Sequence, residues 1–300
     1  MTKKVWILSV LSLAIIASLS ALNLSAQTSS SGDWTASLVE DNSRLNLNFD
    51  RRSEKSGKHQ MGQTYDFAEL GLTREQVLGS GAVRFSLVRE AGTIDCEGSF
   101  QNGKGSGTFR FTGSQAFVAA MKSRGFDFEK ESSTEEGRFE DRLFTATALN
   151  ITTALADDLN SAGFGKLGVS DLAKAAIFKI DSKFMREMKA SGFLNLGMED
   201  LVKARIFKID AHFVTEVARM GFDKEPFEGL VKMQIFKVTP AFIAEVRNEG
   251  LTDLTVEQLV RLQIFKIDSD FIRKAKADGV PLQVERLVQR RLGVAQKKAI

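Results

Sequence analysis

The chain has 300 residues, a length at which about two domains are usual, and its 43% of hydrophobic and 26% of charged residues are typical of a globular protein. Its 41 basic residues against 38 acidic ones give a formal charge of only +3, which is too even to indicate a nucleic-acid partner, and none is predicted. One cysteine and two histidines exclude a disulfide framework within the chain and leave little material for a zinc centre.

Residues 1–26 have the pattern of a secretory signal. Two lysines precede an apolar run over residues 5–22, and small residues end the segment. The pattern predicts export with cleavage after Ala26 or Ala21, and hence a periplasmic or secreted protein. The alternative is an uncleaved anchor in the inner membrane with the rest of the chain facing outward, since about 18 apolar residues are enough to span a bilayer.

Residues 27–112 are expected to form an antiparallel β-domain that begins after a polar linker over residues 27–32. Leucine and phenylalanine alternate with asparagine between residues 45 and 49, which is the period of two that a strand with one buried face requires. The polar stretch 51–64 has no apolar pattern and is predicted to be an exposed loop. Thr73 is placed to cap a short helical turn.

Three further strands are predicted to share a buried face. They cover residues 83–88, 94–100 and 109–111, with a hairpin connection at residues 101–105. Cys96 falls on the apolar side of the second of these strands. That position favours a buried thiol, whereas a redox sensor would need an exposed thiol with a low pKa.

A 29-residue repeat occupies residues 148–292. The string Ile-Phe-Lys-Ile, with Val once in the last place, recurs four times at that step, beginning at Ile177, Ile206, Ile235 and Ile264. A phenylalanine, a glycine and a leucine column keep the same step, which makes the repeat a strong signal. The columns are Phe184, Phe213, Phe242 and Phe271; Gly192, Gly221, Gly250 and Gly279; and Leu172, Leu201, Leu230 and Leu259.

Each unit predicts two short helices. The first begins after an N-cap side chain, at Asp181, Asp210, Thr239 and Asp268, and ends at the column glycine. The second carries the column leucine and ends in the Ile-Phe-Lys-Ile segment, which we call the joint.

Neither helix reaches the roughly 12–15 residues at which an isolated helix becomes marginally stable, so the units are expected to stack. We predict an α+β protein whose second part is an α-solenoid of about five units, with the phenylalanine, leucine and isoleucine columns in its core. Residues 113–147 are expected to be a degenerate unit or linker, and residues 293–300 a tail.

Two basic columns supply the candidate binding residues. One lies at the joint and the other five residues earlier, on the second helix. A cation near a helix C-terminus opposes the helix dipole and contributes roughly 0.3–1 kcal/mol, which is one interpretation. The other is a basic ridge for an acidic partner segment or an anionic polymer. The columns are Lys179, Lys208, Lys237 and Lys266, and Lys174, Lys203, Lys232 and Arg261.

The sequence contains no His-Glu-x-x-His, no Gly-x-Ser-x-Gly and no Gly-x4-Gly-Lys-Ser/Thr motif. The glycine-rich segment 103–107 lies in a predicted hairpin and not before a helix. Asp157 and Asp158 are adjacent, which is poor geometry for paired acid–base chemistry. We therefore predict no catalytic residue, no metal site and no cofactor.

Several stretches resemble a known family. The segment VRFSLVREAGTI at 83–94, with GSF at 98–100 and GSGTFRF at 105–111, resembles a β-module of bacterial extracytoplasmic proteins, and EQLVRLQI at 257–264 resembles the helical repeats that follow that module. In that family the pair is often the extracytoplasmic C-terminal region of membrane metallopeptidases related to the β-lactam sensor-transducers, and it also occurs as free-standing secreted proteins. The resemblance implies a sensing or partner-binding role without catalysis, because this sequence lacks the peptidase motif.

These observations favour a non-catalytic periplasmic or secreted scaffold that binds another protein, such as a membrane signalling component, through the surface of its helical repeats. Contact with the membrane is expected only through the signal or anchor segment. The alternative is a structural cell-envelope protein that contacts an anionic surface polymer through the basic ridge. A hydrolase ranks third.

Overall fold

The computed structural model describes residues 29–40, 43–53, 57–130 and 138–294. Within these ranges six strands form one antiparallel sheet in the order β3-β2-β1-β6-β5-β4, so that two three-stranded meanders join where β1 pairs with β6. The strands are β1 (Ser29–Leu38), β2 (Arg44–Ser53), β3 (Gly57–Asp66), β4 (Ser80–Arg89), β5 (Gly92–Gln101) and β6 (Lys104–Gly113). The predicted signal over 1–26, and the predicted tail beyond residue 294, lie outside the described residues.

Two loop predictions are wrong. Residues 29–32, expected in a linker, belong to β1 and pair with β6, and residues 57–64, expected in an exposed loop, belong to β3. Strand β3 lies at the edge of the sheet and pairs only with β2, so its polar side chains can face solvent. Main-chain hydrogen bonds with β2 hold β3 in the sheet. These bonds do not require an apolar side-chain pattern.

Thirteen α-helices lie in the described ranges, and twelve of them follow the sheet, which confirms an α+β fold. The helix α1 (Arg74–Leu78) precedes β4, and Thr73 caps it as predicted by accepting from the N–H of Gln76 at 3.3 Å. The others are α2 (Gln115–Ser123), α3 (Phe139–Ala148), α4 (Thr153–Ser161), α5 (Val169–Phe178), α6 (Ser182–Ala190), α7 (Met198–Ile206), α8 (Ala211–Val217), α9 (Phe227–Ile235), α10 (Pro240–Asn248), α11 (Val256–Ile264), α12 (Ser269–Ala277) and α13 (Val284–Arg291). None of the described helices is long and apolar enough to cross a bilayer.

The predicted helix boundaries are confirmed where the repeat columns set them. The side chains of Asp181, Asp210, Thr239 and Asp268 each accept a hydrogen bond from the N–H three residues later, at 2.7–3.2 Å. The four column glycines that follow these helices have φ between 74° and 100°, a conformation that a side chain disfavours. Local spacing in the sequence therefore decides where these helices begin and end.

Helix α3 joins the helices to the sheet. Its Phe144 lies 5.3–5.5 Å, between ring centres, from Phe49, Phe109 and Phe111 on the inner face of the sheet. Beside these rings Arg51 of β2 forms a buried ion pair with Asp141 of α3. One hydrophobic core consequently runs from the sheet into the helices, so the helical part is attached to the sheet through packing.

Candidate binding surface at the helix joints

The joint lysines are the residues at which the chain leaves helices α5, α7, α9 and α11. Lys179, Lys208, Lys237 and Lys266 have φ between 50° and 54°. This left-handed conformation costs roughly 1–2 kcal/mol for a residue with a Cβ, and glycine adopts it more readily. The residue after each lysine donates its N–H back into the helix, as Ile209 does to the Ala204 carbonyl at 2.8 Å. Glycine would therefore adopt the backbone conformation of all four joints at a lower cost in free energy.

Each joint buries its last residue and exposes its first isoleucine. The last residues are only 1–2% exposed, whereas the first isoleucines are 47–55% exposed, so the prediction that the first isoleucine column lies in the core is wrong. An α-helix turns about 100° per residue, and a residue five positions after a buried leucine therefore points about 140° away from it. The exposed residues are Ile177, Ile206, Ile235 and Ile264, and the buried ones are Ile180, Ile209, Val238 and Ile267.

The other two columns behave largely as expected. The column leucines on the second helices are 0–1% exposed, which confirms their place in the core. Of the phenylalanine column, Phe184 and Phe242 are buried, while Phe213 and Phe271 are half-buried. The burial of the leucines fixes the direction in which the isoleucines point, because both lie on the same helix.

The two basic columns differ in their partners. The column on the second helix is paired, since each cation contacts a glutamate at the start of the next second helix, 24 or 25 residues later. The hydrogen bonds that Lys203 and Lys232 donate to these glutamates raise the pKa of both lysines. The pairs are Lys174 with Glu199, Lys203 with Glu228, Lys232 with Glu257 and Arg261 with Glu285.

The joint lysines are exposed, and within the described ranges no carboxylate lies in ion-pair distance of them. The structure thus divides the predicted binding residues. The paired column links one unit to the next, and the joint column is open to a partner. We call the four exposed isoleucines together with the four joint lysines the Ile/Lys row.

Side chains from the following unit hold three joints in place. Arg205 donates to the Lys179 carbonyl at 2.7 Å, Gln263 donates to the Lys237 carbonyl at 3.0 Å, and Arg291 donates to the Lys266 carbonyl at 2.7 Å. The Arg205 guanidinium also lies 3.7 Å above the Phe184 ring, where a cation is attracted to the π-face. The Ile/Lys row is consequently built on a braced backbone. Each of these three donor residues lies one position before an exposed residue at the end of a helix. This spacing recurs in the sequence.

Among the residues that the structure describes, the sheet does not repeat this arrangement. On its outer face, Arg84 of β4 lies 3.3 Å from Glu97 of β5, and Ser86 donates to Asp95 at 2.6 Å, so charged and polar groups pair across strands. Cys96 is buried on the inner face, and burial raises the pKa of its thiol, which matches the prediction of a buried thiol. In the part of the chain that the structure describes, no group of three or more His, Cys, Asp or Glu side chains is arranged to hold a metal ion.

Comparisons with protein-family models, with curated proteins and with solved structures gave no match. The functional argument therefore depends on the geometry of the Ile/Lys row.

Proposed function

We propose that residues 148–292 form an α-solenoid of about five two-helix units, and that the chain is a non-catalytic extracytoplasmic scaffold that binds another protein through the Ile/Lys row. The helix contacts support the stacking. Helices α3, α5 and α7 pack in sequence, as do α9, α11 and α13, while α4 packs on α6 and α10 on α12. Alternate helices thus pack on one another within each of these groups, and the Lys203–Glu228 ion pair connects α7 to α9, which supports the arrangement of a helical repeat array.

One observation carries the binding proposal, namely that an exposed isoleucine and an unpaired left-handed lysine recur together four times at a 29-residue step. Single exposed apolar residues are ordinary on protein surfaces. Four at the same position of successive units make an aligned surface, and such surfaces mark interaction sites. Neither residue is the type that the local backbone favours, because isoleucine is a weaker helix former than leucine and a left-handed lysine costs stability.

The unpaired lysines also support a second candidate function, binding of an anionic cell-envelope polymer. Such binding uses the positive charge and gives the isoleucines no role. A protein partner uses both components of the row, which is why we favour it. The extracytoplasmic location is supported by the signal pattern of residues 1–26, and it makes an exported or membrane-anchored signalling protein a suitable partner.

Site-specific photocrosslinking in the native host tests the proposal. A photoreactive amino acid at Ile206 or Ile235 should give the same discrete protein adduct, whereas one at Glu245, exposed on helix α10, should not. Adducts that are absent, or equally abundant at all three positions, would contradict a binding role for the row.

Two multiple variants, each with the photoreactive amino acid at Ile206, separate the protein partner from the polymer. Replacing the other three isoleucines by serine should abolish the protein adduct and leave adsorption to heparin, used as a model polyanion, unchanged. Replacing the four joint lysines by glutamate should abolish both. If no protein adduct forms, and heparin adsorption falls steeply with salt and is lost only in the lysine variant, the polymer function is correct.

A further inference from the structure

The Ile/Lys row has a chemistry that selects one class of partner. Each joint presents an apolar knob, the exposed isoleucine, and two residues later an ammonium group without a carboxylate partner among the described residues. Four positive charges in one row favour a partner of the opposite sign. The contact surface of the partner therefore combines apolar and acidic side chains.

The main-chain N–H groups at the joints are already committed to internal hydrogen bonds. The N–H groups that follow the lysines donate into their own helices, and the carbonyls of Lys179, Lys237 and Lys266 accept from side chains of the following unit. A partner in extended conformation would place its own C=O groups against a surface with few N–H groups to meet them, which costs free energy. An α-helix satisfies its main chain internally and needs only side-chain contacts.

The spacing of the row leads to the same conclusion. Packed helices lie about 8–10 Å apart, so the exposed isoleucines recur at about that distance where consecutive second helices pack, as α5 does on α7 and α9 on α11, and the Lys203–Glu228 ion pair connects α7 to α9. An α-helix advances about 10 Å in seven residues, which is close to two full turns, and therefore presents the same face again. A β-strand covers about 10 Å in three residues, an odd number, which brings the opposite face to the row.

From these three observations we infer that the partner is an amphipathic acidic α-helix with an apolar residue at every seventh position and carboxylates beside it. This inference rests on the proposed function and specifies its partner. Contact with all four joints requires about 22 residues in one helix. No α-helix in the described ranges exceeds ten residues, and the apolar run over residues 5–22 contains no acidic residue, so neither supplies an acidic helix of that length from a second copy of this chain.

Synthetic peptides test the inference by fluorescence anisotropy with the full chain. The probe is a labelled peptide of about 25 residues with leucine at every seventh position, glutamates beside each leucine, and alanine and glutamine elsewhere. Peptides of the same composition with leucine at every fifth position, or with lysine in place of glutamate, should bind at least about tenfold more weakly. A proline-containing peptide with leucine at every third position tests polyproline II, which returns the same face after about 9 Å.

Variants of the protein complete the test. Ile206→Ser with Ile235→Ser, and separately Lys208→Ala with Lys237→Ala, should each weaken the heptad peptide at least about fivefold, whereas Glu245→Gln should leave it unchanged. No binding by any peptide, equal binding at five- and seven-residue spacing, or tighter binding of the proline peptide would overturn the inference. If crosslinked adducts still formed at Ile206 in that case, the proposed function would stand with a different partner; without adducts, both would fall.

Discussion

The sheet and the helical part of this protein are held together in different ways. On the inner face of the sheet, aromatic side chains that are distant in sequence meet in one place, as Phe49 and Phe109 do with Phe144 of α3. In the helical part, the same three features recur at each unit: an N-cap side chain, a left-handed glycine after the helix and a buried leucine. The sheet therefore depends on a few contacts between residues distant in sequence. The helices depend on many similar contacts between residues closer in sequence.

The largest expected effect is at the junction of the two parts. Phe144→Ala should lower the free energy of unfolding by about 3–5 kcal/mol, because a fully buried ring in contact with three other rings is lost and a cavity remains. Urea unfolding followed by circular dichroism measures this loss. Phe265→Ala, at a half-buried joint ring, is the control and should cost clearly less. Equal losses would mean that α3 is not the main link between sheet and helices.

A core substitution among the helices should be large but confined to its neighbourhood. Leu230→Ala removes a side chain that is 1% exposed and should cost about 2–5 kcal/mol. In the proposed solenoid each unit contacts mainly its neighbours, so hydrogen exchange should accelerate in α7, α9 and α11 while the sheet amides keep their protection. Ile235→Ala, five residues along the same helix and 47% exposed, should leave exchange unchanged. A uniform loss of protection over the whole chain would contradict a modular helical part.

The same contrast explains what could be predicted from the sequence. The helix ends were predictable because an N-cap and a left-handed glycine act within a few residues of their own position. Strand β3 was not, because it is defined by pairing with β2, and its composition is that of a loop. The burial of Ile177 was predicted wrongly because its apolar character was weighed more heavily than its angle from Leu172 on the same helix. The pairing of Lys174 with Glu199 was accessible, since the glutamate recurs at the same step as the lysine.

A smaller effect, dependent on pH, is expected where α4 meets α6. The hydroxyl and the backbone N–H of Ser182 donate to the Asp158 carboxylate at 2.6 and 2.8 Å, and these bonds lower the pKa of Asp158 below its usual value. A carboxyl whose pKa is lower in the folded than in the unfolded state stabilises the fold above the unfolded value, about 4, and loses that contribution as the pH falls through its folded value.

Asp158→Asn should therefore cost about 1 kcal/mol at pH 7, and the difference from the unmodified protein should shrink below about pH 4. Denaturant titrations at several pH values measure this. Asp157→Asn, which alters only an exposed ion pair with Arg124, is the matched control and should change stability less at every pH. A difference for Asp158→Asn that remained constant down to the onset of acid unfolding would show that its charge has no part in it.

The smallest expected effect is the change in the free energy of unfolding when a lysine of either basic column is replaced by glycine. The sign of this change should differ between the two columns. Lys208→Gly removes the cost of a left-handed lysine, which is roughly 1–2 kcal/mol. The greater freedom of glycine in the unfolded chain lowers stability by roughly 0.5–1 kcal/mol. The free energy of unfolding should therefore rise by about 0.5–1 kcal/mol. Lys203→Gly, five residues earlier in the same unit, lies inside α7 and should destabilise by about 1 kcal/mol through helix propensity.

Paired urea titrations of these two variants measure the opposite signs, and the crosslinking and peptide assays then measure binding. If Lys208→Gly raises stability and weakens binding, the lysine lowers the stability of the joint and contributes to binding. Binding then accounts for the presence of lysine at this position. If Lys208→Gly instead lowers stability as Lys203→Gly does, the joint lysine contributes to the fold, and the distinction between a paired column that links the units and an open column that meets a partner is lost.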